Sequence, residues 1–133
     1  RVYYGGSNGR HNADRVGDSA LCLAVFKRDR FAGLASKRGR RGEFITRPMR
    51  VEGERLRLNV DASEGEVRVE VCDAGGAALK GYTRADCEAV HSQDSLDMAV
   101  RWSGRADLRA LRGQEVCLRL LLDNAAAYAF EIA

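Results

Sequence analysis

The chain has 133 residues, 45% of them hydrophobic, and its 22 basic and 19 acidic side chains leave a net charge of +3. This near balance argues against nucleic acid or an anionic membrane as the main partner, and no apolar run approaches the roughly 20 residues that span a bilayer. The hydrophobic fraction is sufficient for a buried core, so we expect a folded chain. With 14 glycines and one proline, the composition indicates many turns and an all-β fold.

The N-terminal stretch predicts a short hairpin. An aromatic strand runs into a polar, glycine-rich loop that continues to about Asp18. The segment 19–26 has apolar residues on both faces, which predicts a strand covered on both sides. We therefore take residues 1–35 as a first segment, separated by the basic loop 36–42 from a second domain at 36–133.

After the basic loop, apolar and polar residues alternate as they do in β-strands. Residues 43–51 predict an extended edge strand. Alternating apolar residues at 56–60 and 67–71 predict a hairpin that turns at 62–65. The alternation weakens over 77–94, which predicts a long irregular connection between two sheets.

The strongest alternation lies in the C-terminal third, at 96–102, 116–122 and 128–132. A period of two places successive side chains on opposite faces of a sheet, so each of these segments predicts an antiparallel strand. Between the first two, Asp107 is predicted to cap a single helical turn. The spacing of all the segments predicts an all-β fold, a two-sheet antiparallel β-sandwich of jelly-roll type.

The cysteines and glycines carry no cofactor motif. None of the cysteines has the CxxC or Cys/His spacing of a zinc site, and the glycine-rich stretch 5–9 lacks the Gly-Lys-Ser/Thr ending of a phosphate loop. We expect four free, mostly buried thiols. The alternative is one disulfide, for which loop length favours the pair Cys72–Cys87. The four positions are Cys22, Cys72, Cys87 and Cys117.

Several stretches carry a resemblance to a known family. The run 100–120 (VRWSGRADLRALRGQEVCLRL), closed by DNAAAYAF at 123–130, resembles the end of a bacterial accessory β-sandwich. Such modules follow five-bladed β-propeller glycosidase-like domains, related to those that cleave fructans and arabinans. The segment 71–87 is similar to the middle of that module, and the segments 2–11 and 21–34 resemble the last strands of such a propeller.

The resemblance implies a carbohydrate-directed protein, secreted or periplasmic, in which residues 1–35 continue a propeller and residues 36–133 form the accessory sandwich. The family's catalytic carboxylates lie on earlier propeller blades. No catalytic residue is therefore carried over to this sequence.

A sugar-binding site on a sandwich needs an exposed aromatic face, together with polar groups that hold the hydroxyls. Tyr82 in the irregular connection is the predicted exposed platform, with Arg84, Asp86 and Asn124 as polar neighbours. Under the resemblance, the glycine-rich loop lies near the propeller mouth and adds three candidates for hydrogen bonds to a sugar: Tyr4, Asn8 and His11. Trp102 and Tyr128 share parity with apolar neighbours and are predicted to be core residues.

The carboxylates, histidines and basic loop that could support catalysis or other binding each have a simpler structural interpretation. Glycoside hydrolysis needs two facing carboxylates, but the available ones are better interpreted as solvated turn residues or caps: Asp14, Asp18, Asp86 and Glu88. His11 and His91 are interpreted as surface histidines, and the basic loop 37–41 as a solvated linker.

The sequence thus predicts a non-catalytic carbohydrate-binding module associated with a glycoside hydrolase. The alternatives are a structural domain that packs on a propeller glycosidase domain without binding sugar, and a remnant of a glycosidase. Apolar side chains expected on the wet face, Leu121 and Phe26, favour packing against another domain or against a second copy in a homodimer.

Overall fold

A computed structural model describes residues 1–9 and 18–133. The chain forms two compact units, Arg1–Phe31 and Ala32–Ala133. The division falls after Phe31, whereas the sequence placed it after residue 35, because the short strand at Leu34–Ala35 pairs with the C-terminal strand of the second unit. In the part of the chain that the structure describes, no helix is long and apolar enough to cross a membrane.

The first unit is an antiparallel hairpin of β1 (Val2–Ser7) and β2 (Ser19–Ala24). Their register runs from Val2 opposite Ala24 to Ser7 opposite Ser19. After β2 a turn is closed by a hydrogen bond from the Arg30 amide to the Lys27 carbonyl.

The second unit is a single antiparallel sheet of seven strands with one short 3₁₀ helix at Arg109–Leu111. Its strands are β3 (Leu34–Ala35), β4 (Arg41–Ile45), β5 (Met49–Arg50), β6 (Leu56–Asp73), β7 (Val90–Ala99), β8 (Glu115–Asp123) and β9 (Ala126–Ile132). The main path through the sheet is β3–β9–β6–β8–β4, while β5 pairs with β8 and β7 with β6. The sheet is nearly closed on itself. The strands of both units pair antiparallel, so the all-β, antiparallel prediction is confirmed.

Strand β6 is the long central element of this sheet. Its first half pairs with β9, from Leu56 opposite Ile132 to Asp61 opposite Ala126, and its second half pairs with β8, from Glu66 opposite Asp123 onward. Strands β8 and β9 therefore run as one bent partner along the whole of β6. The predicted hairpin over 56–71 is wrong, because the chain bends at 62–65 without reversing.

The bend explains why the sequence pattern resembled a hairpin. The buried side chains of β6 occupy even positions before the bend (Leu56, Leu58, Val60, Ala62) and odd positions after it (Val67, Val69, Val71). Irregular pairing with β7 between Ala62 and Glu66 absorbs the change of phase. Within the bend, Gly65 lies so close to the carbonyl oxygens of Asp123 and Asn124 that a Cβ there would overlap them.

The two halves of the bent sheet enclose the core. Its largest fully buried side chains include Trp102, Leu108, Leu118 and Leu120. The predicted helical turn is present as the 3₁₀ helix. Its N-cap position is Leu108 and not the predicted Asp107, although Asp107 Oδ1 accepts a hydrogen bond from the Arg109 amide (3.2 Å). The irregular connection is shorter than predicted, because β7 already begins at Val90.

Candidate functional site

Tyr82, the predicted sugar platform, is a core residue and not an exposed one. Only 2% of its surface is exposed. Its ring meets the Trp102 indole edge-on, with ring centroids 5.4 Å apart, and its hydroxyl donates to the Asp107 carbonyl (3.4 Å). The cause is backbone pairing: the Val71 amide donates to the Tyr82 carbonyl, and the Leu79 amide donates to the Val71 carbonyl. These bonds draw the connection onto β6 and turn Tyr82 inward, so its exposure was wrongly predicted.

Arg84 and Asp86, two of the polar neighbours predicted for Tyr82, and the nearby Glu88 make hydrogen bonds within the chain. The Asp86 carboxylate accepts hydrogen bonds from the Thr83 hydroxyl (2.7 Å) and amide (3.1 Å), and the hydroxyl bond in particular lowers the pKa of Asp86. The Arg84 amide donates to Glu70 Oε1 (3.0 Å). Glu88 Oε1 accepts from the Gly104 amide (2.8 Å). Asp86 and Glu88 therefore act as turn acceptors, as the simpler interpretation predicted.

Asn124 lies at the bend of the sheet. It adopts a left-handed backbone conformation (φ 47°), and its Nδ2 donates to the Glu64 carbonyl (2.8 Å). It lines an open groove of about 290 Å³ together with the polar side chains Ser36, Asp61, Ser63 and Glu64. We call this the bend groove. It contains none of the other predicted sugar-binding residues.

The remaining candidates belong to the first unit or lie outside the described residues. Tyr4 stands opposite Cys22 in the hairpin and is 52% exposed. The Asn8 amide donates to the Asp18 carbonyl (3.2 Å). His11 and Asp14 fall in 10–17, which the structure does not describe.

The interpretation of His91 and of the basic loop as ordinary surface fits their surroundings. His91 is exposed, with Nδ1 3.3 Å from the Ser92 hydroxyl. In the loop, the Arg40 amide closes a turn on the Lys37 carbonyl, and Arg41 pairs with Asp123 (3.0 Å). Across residues 1–9 and 18–133, no three His, Cys, Asp or Glu side chains are grouped in a way that could hold a metal ion.

An apolar groove of about 330 Å³ opens beside β9 in the second unit. Its walls include Gly33, Leu34, Phe44, Leu120, Tyr128 and Phe130. Tyr128 is the extra residue of a bulge, since Asn59 stands opposite Ala129 while Val60 stands opposite Ala127. The bulge leaves Tyr128 half-buried and Phe130 39% exposed, so the prediction that parity makes Tyr128 a core residue holds only in part. Bulges have no clear sequence signal, and sequence reasoning missed this groove.

The hairpin of the first unit is apolar on both faces. Directly opposite residues share a face, so Tyr3, Leu21 and Leu23 lie on one face and Val2 and Tyr4 on the other. All five are exposed, Tyr3 by 65% and Leu21 by 79%. In the turn beyond the hairpin Phe31 is 76% exposed even though its ring meets the Phe26 ring edge-on.

Comparisons with protein-family models, with curated proteins and with solved structures find no match to this chain.

Proposed function

We propose that this chain is a non-catalytic packing module whose N-terminal hairpin is completed by the β-sheet of a neighbouring domain. The observation that carries the proposal is the exposure of large apolar side chains on both faces of a two-stranded ribbon. An isolated hairpin is at best marginally stable in water, and each fully buried large apolar side chain contributes about 1.5–3 kcal/mol. Covering both faces therefore favours a bound hairpin strongly.

The neighbour in this proposal is a propeller glycosidase-like domain, and the second unit is its jelly-roll β-sandwich. The propeller neighbour rests on the resemblance of the sequence, and the sandwich rests on the strand spacing as well as on the resemblance. Support comes from the strand that was predicted to be covered on both sides: β2 presents Leu21 and Leu23 on one face and the half-buried Cys22 on the other. The apolar groove beside β9 offers the second unit a further surface of the same character.

The test is self-association of the chain without its neighbour. We expect concentration-dependent association in sedimentation velocity and enhanced fluorescence of the apolar dye ANS, because the hairpin faces are uncovered. The double variant Leu21→Thr, Leu23→Thr keeps strand propensity while removing both leucines from the face that they share with Tyr3, so it should reduce both signals. Leu96→Thr, at a 38% exposed position on β7, is the matched control and should leave them unchanged. A strictly monomeric chain with no dye enhancement would count against the packing role.

Carbohydrate binding is a second proposal, and the bend groove is the place that supports it. Its amide, hydroxyl and carboxylate groups are the types that hold sugar hydroxyls, and its volume of about 290 Å³ is close to the lower end of ligand sites. It offers no aromatic ring for stacking, which makes this role weaker than packing.

A glycan that binds the folded chain raises its melting temperature, so we would compare fructans, arabinans, xylans and uronic-acid polymers by thermal shift. Glu64→Ala should abolish a shift that arises in the bend groove, whereas Glu115→Ala, an exposed change at the start of β8, should not. A shift that persists in Glu64→Ala would place binding elsewhere. If no glycan shifts the melting temperature, the packing role stands alone.

A further inference from the structure

Two cysteines face each other across the centre of the sheet. Cys72 of β6 stands directly opposite Cys117 of β8. Both belong to the outer face of the sheet, since the core side chains of this part of β6 are Val69 and Val71. Even so, Cys72 is fully buried and Cys117 is only 4% exposed. Both are present as free thiols.

The hydrogen-bond pattern defines the kind of pair that they form. The amides of Val71 and Asp73 donate to the carbonyls of Tyr82 and Ala77, which belong to the irregular connection between β6 and β7. Backbone groups alternate in direction along a strand, so the amide and carbonyl of Cys72 point towards β8. On β8, the backbone amide and carbonyl of Leu118 bond with Thr46 on the β4 side. By the same alternation, the backbone amide and carbonyl of Cys117 point towards β6.

Cys72 and Cys117 are therefore a hydrogen-bonded antiparallel pair, for which the Cα atoms lie about 5.5 Å apart. That separation is within the range of about 4.4–6.8 Å that a disulfide spans. The Cβ atoms of such a pair lie about 5 Å apart or slightly more, whereas a disulfide needs roughly 3.5–4.5 Å. A bond here draws the two strands together and stores strain, which makes it more easily reduced.

We propose that Cys72 and Cys117 form a redox-labile disulfide that cross-links β6 to β8. Cys87 does not compete for Cys72, because Cys87 belongs to the core cluster and its Sγ accepts the Val69 amide (3.2 Å). This also corrects the pair that loop length favoured: Cys72 and Cys87 lie on opposite faces of β6.

The surroundings of the pair indicate which thiol reacts first. Pairing along this edge of β8 is interrupted at Cys117, since β4 ends opposite Arg119 and β5 begins opposite Val116. Burial raises the pKa of the Cys72 thiol, and the nearby Arg119 guanidinium only partly opposes this. Because Cys117 is 4% exposed and Cys72 is fully buried, we assign Cys117 as the attacking thiol and Cys72 as the resolving one.

With glutathione disulfide as the oxidant, the Cys117 thiolate attacks one sulfur and releases one reduced glutathione, leaving a mixed disulfide. The Cys72 thiolate then attacks the protein sulfur of this mixed disulfide and releases the second glutathione. Two protein thiols lose two electrons and two protons, and one glutathione disulfide becomes two reduced glutathiones.

The experiment uses the full chain carrying Cys22→Ser, because Cys22 is the partly exposed cysteine. The protein is incubated with graded ratios of oxidised to reduced glutathione, blocked with N-ethylmaleimide and mapped by peptide mass spectrometry. We expect a linked peptide that joins Cys72 to Cys117. Adding Cys72→Ser should leave one glutathione trapped on Cys117, whereas adding Cys117→Ser should leave Cys72 unmodified. Cys87→Ser should not affect the cross-link.

The same peptide map is recorded for the wild-type chain, and it decides the matter even if a variant fails to fold. A map in which Cys117 carries glutathione without linking to Cys72, or in which both thiols stay reduced at every ratio, overturns the proposal. So does a cross-link through Cys87. A cross-link that resists excess reduced glutathione in the native protein, and is reduced only after denaturation, would refute its lability.

Discussion

The Trp102 indole is fixed between two parts of the chain that are distant in sequence. Its Nε1 donates to the Val69 carbonyl (2.8 Å), and the edge of its ring system meets the Tyr82 ring at an interplanar angle of 69°. Trp102 is 1% exposed, and the Arg105 guanidinium lies 5.6 Å from the centre of the Tyr82 ring. The cluster joins β6, the irregular connection and the segment after β7, so it stabilises the part of the molecule with the least regular structure.

Replacing Tyr82 tests whether it is a core residue. Tyr82→Ala leaves a cavity beside Trp102, and we expect it to lower the free energy of unfolding by about 3–5 kcal/mol. Tyr82→Phe is the control: it keeps the ring contact and loses the hydroxyl, which donates to the Asp107 carbonyl (3.4 Å), so its cost should be about 1 kcal/mol or less. Urea denaturation measures both. If Tyr82→Ala unfolds like the wild type, the ring is not packed in the core.

The chain's single tryptophan provides an internal probe of the same cluster. Because Trp102 is 1% exposed, its emission should be blue-shifted in the native state and resistant to quenching by iodide. Both properties should be lost together in the urea transition. Tyr82→Ala should increase iodide quenching in the folded state, since it uncovers one edge of the indole. A native spectrum that is already red-shifted and readily quenched would contradict the burial of Trp102.

The regular strands were predictable because their alternation is strong. The residues Val116, Leu118, Leu120 and Leu122 are all buried, as the period of two predicts. The bend of β6 was not predictable, because a bulge and a hairpin turn produce the same change of phase between Ala62 and Val67. Only the pairing with β8 and β9 distinguishes the two.

The candidate site was predicted less well than the fold, for a related reason. Whether Tyr82 points inward depends on the backbone bonds between the irregular connection and Val71 of β6. The connection has no sequence periodicity from which these bonds could be predicted. The interpretation of Asp86 as a turn residue was closer to the structure, since its carboxylate accepts a hydrogen bond from the Thr83 hydroxyl. The facing cysteines follow from the register of β6 and β8, which the sequence alone does not define.

Gly65 tests the bend directly. A Cβ at this position would overlap the backbone of Asp123 and Asn124, so Gly65→Ala must push β6 away from the junction of β8 and β9. We expect a loss of several kcal/mol or failure to fold, on the scale of the larger effects known for steric strain in a core. Gly5→Ala is the control, because nothing lies within 4 Å of the position that a Cβ would take there. Circular dichroism with thermal denaturation compares them. Equal melting temperatures would show that the bend tolerates a side chain.

Glu70 makes stability depend on pH in a defined direction. Its side chain is 12% exposed; Oε2 accepts from Arg119 (2.8 Å) and Oε1 from the Arg84 amide (3.0 Å). Burial acts to raise the pKa of Glu70, but these hydrogen bonds outweigh it and leave the pKa lowered. A carboxyl with a lowered pKa in the folded state stabilises the fold above its unfolded pKa of about 4.3, and this contribution is lost as the pH falls through the folded value.

Glu70→Gln removes that dependence. At pH 7 we expect it to lower the free energy of unfolding by about 1–2 kcal/mol, since hydrogen bonds to a charged group are lost at a partly solvated site. The difference from the wild type should shrink as the pH falls from about 4.3, where the unfolded carboxyl takes up its proton, through the lowered folded pKa. Thermal denaturation between pH 3 and pH 7 measures this, with Glu115→Gln at the exposed start of β8 as the control. A gap between wild type and Glu70→Gln that is unchanged at pH 3 would show that the charge of Glu70 does not stabilise the fold.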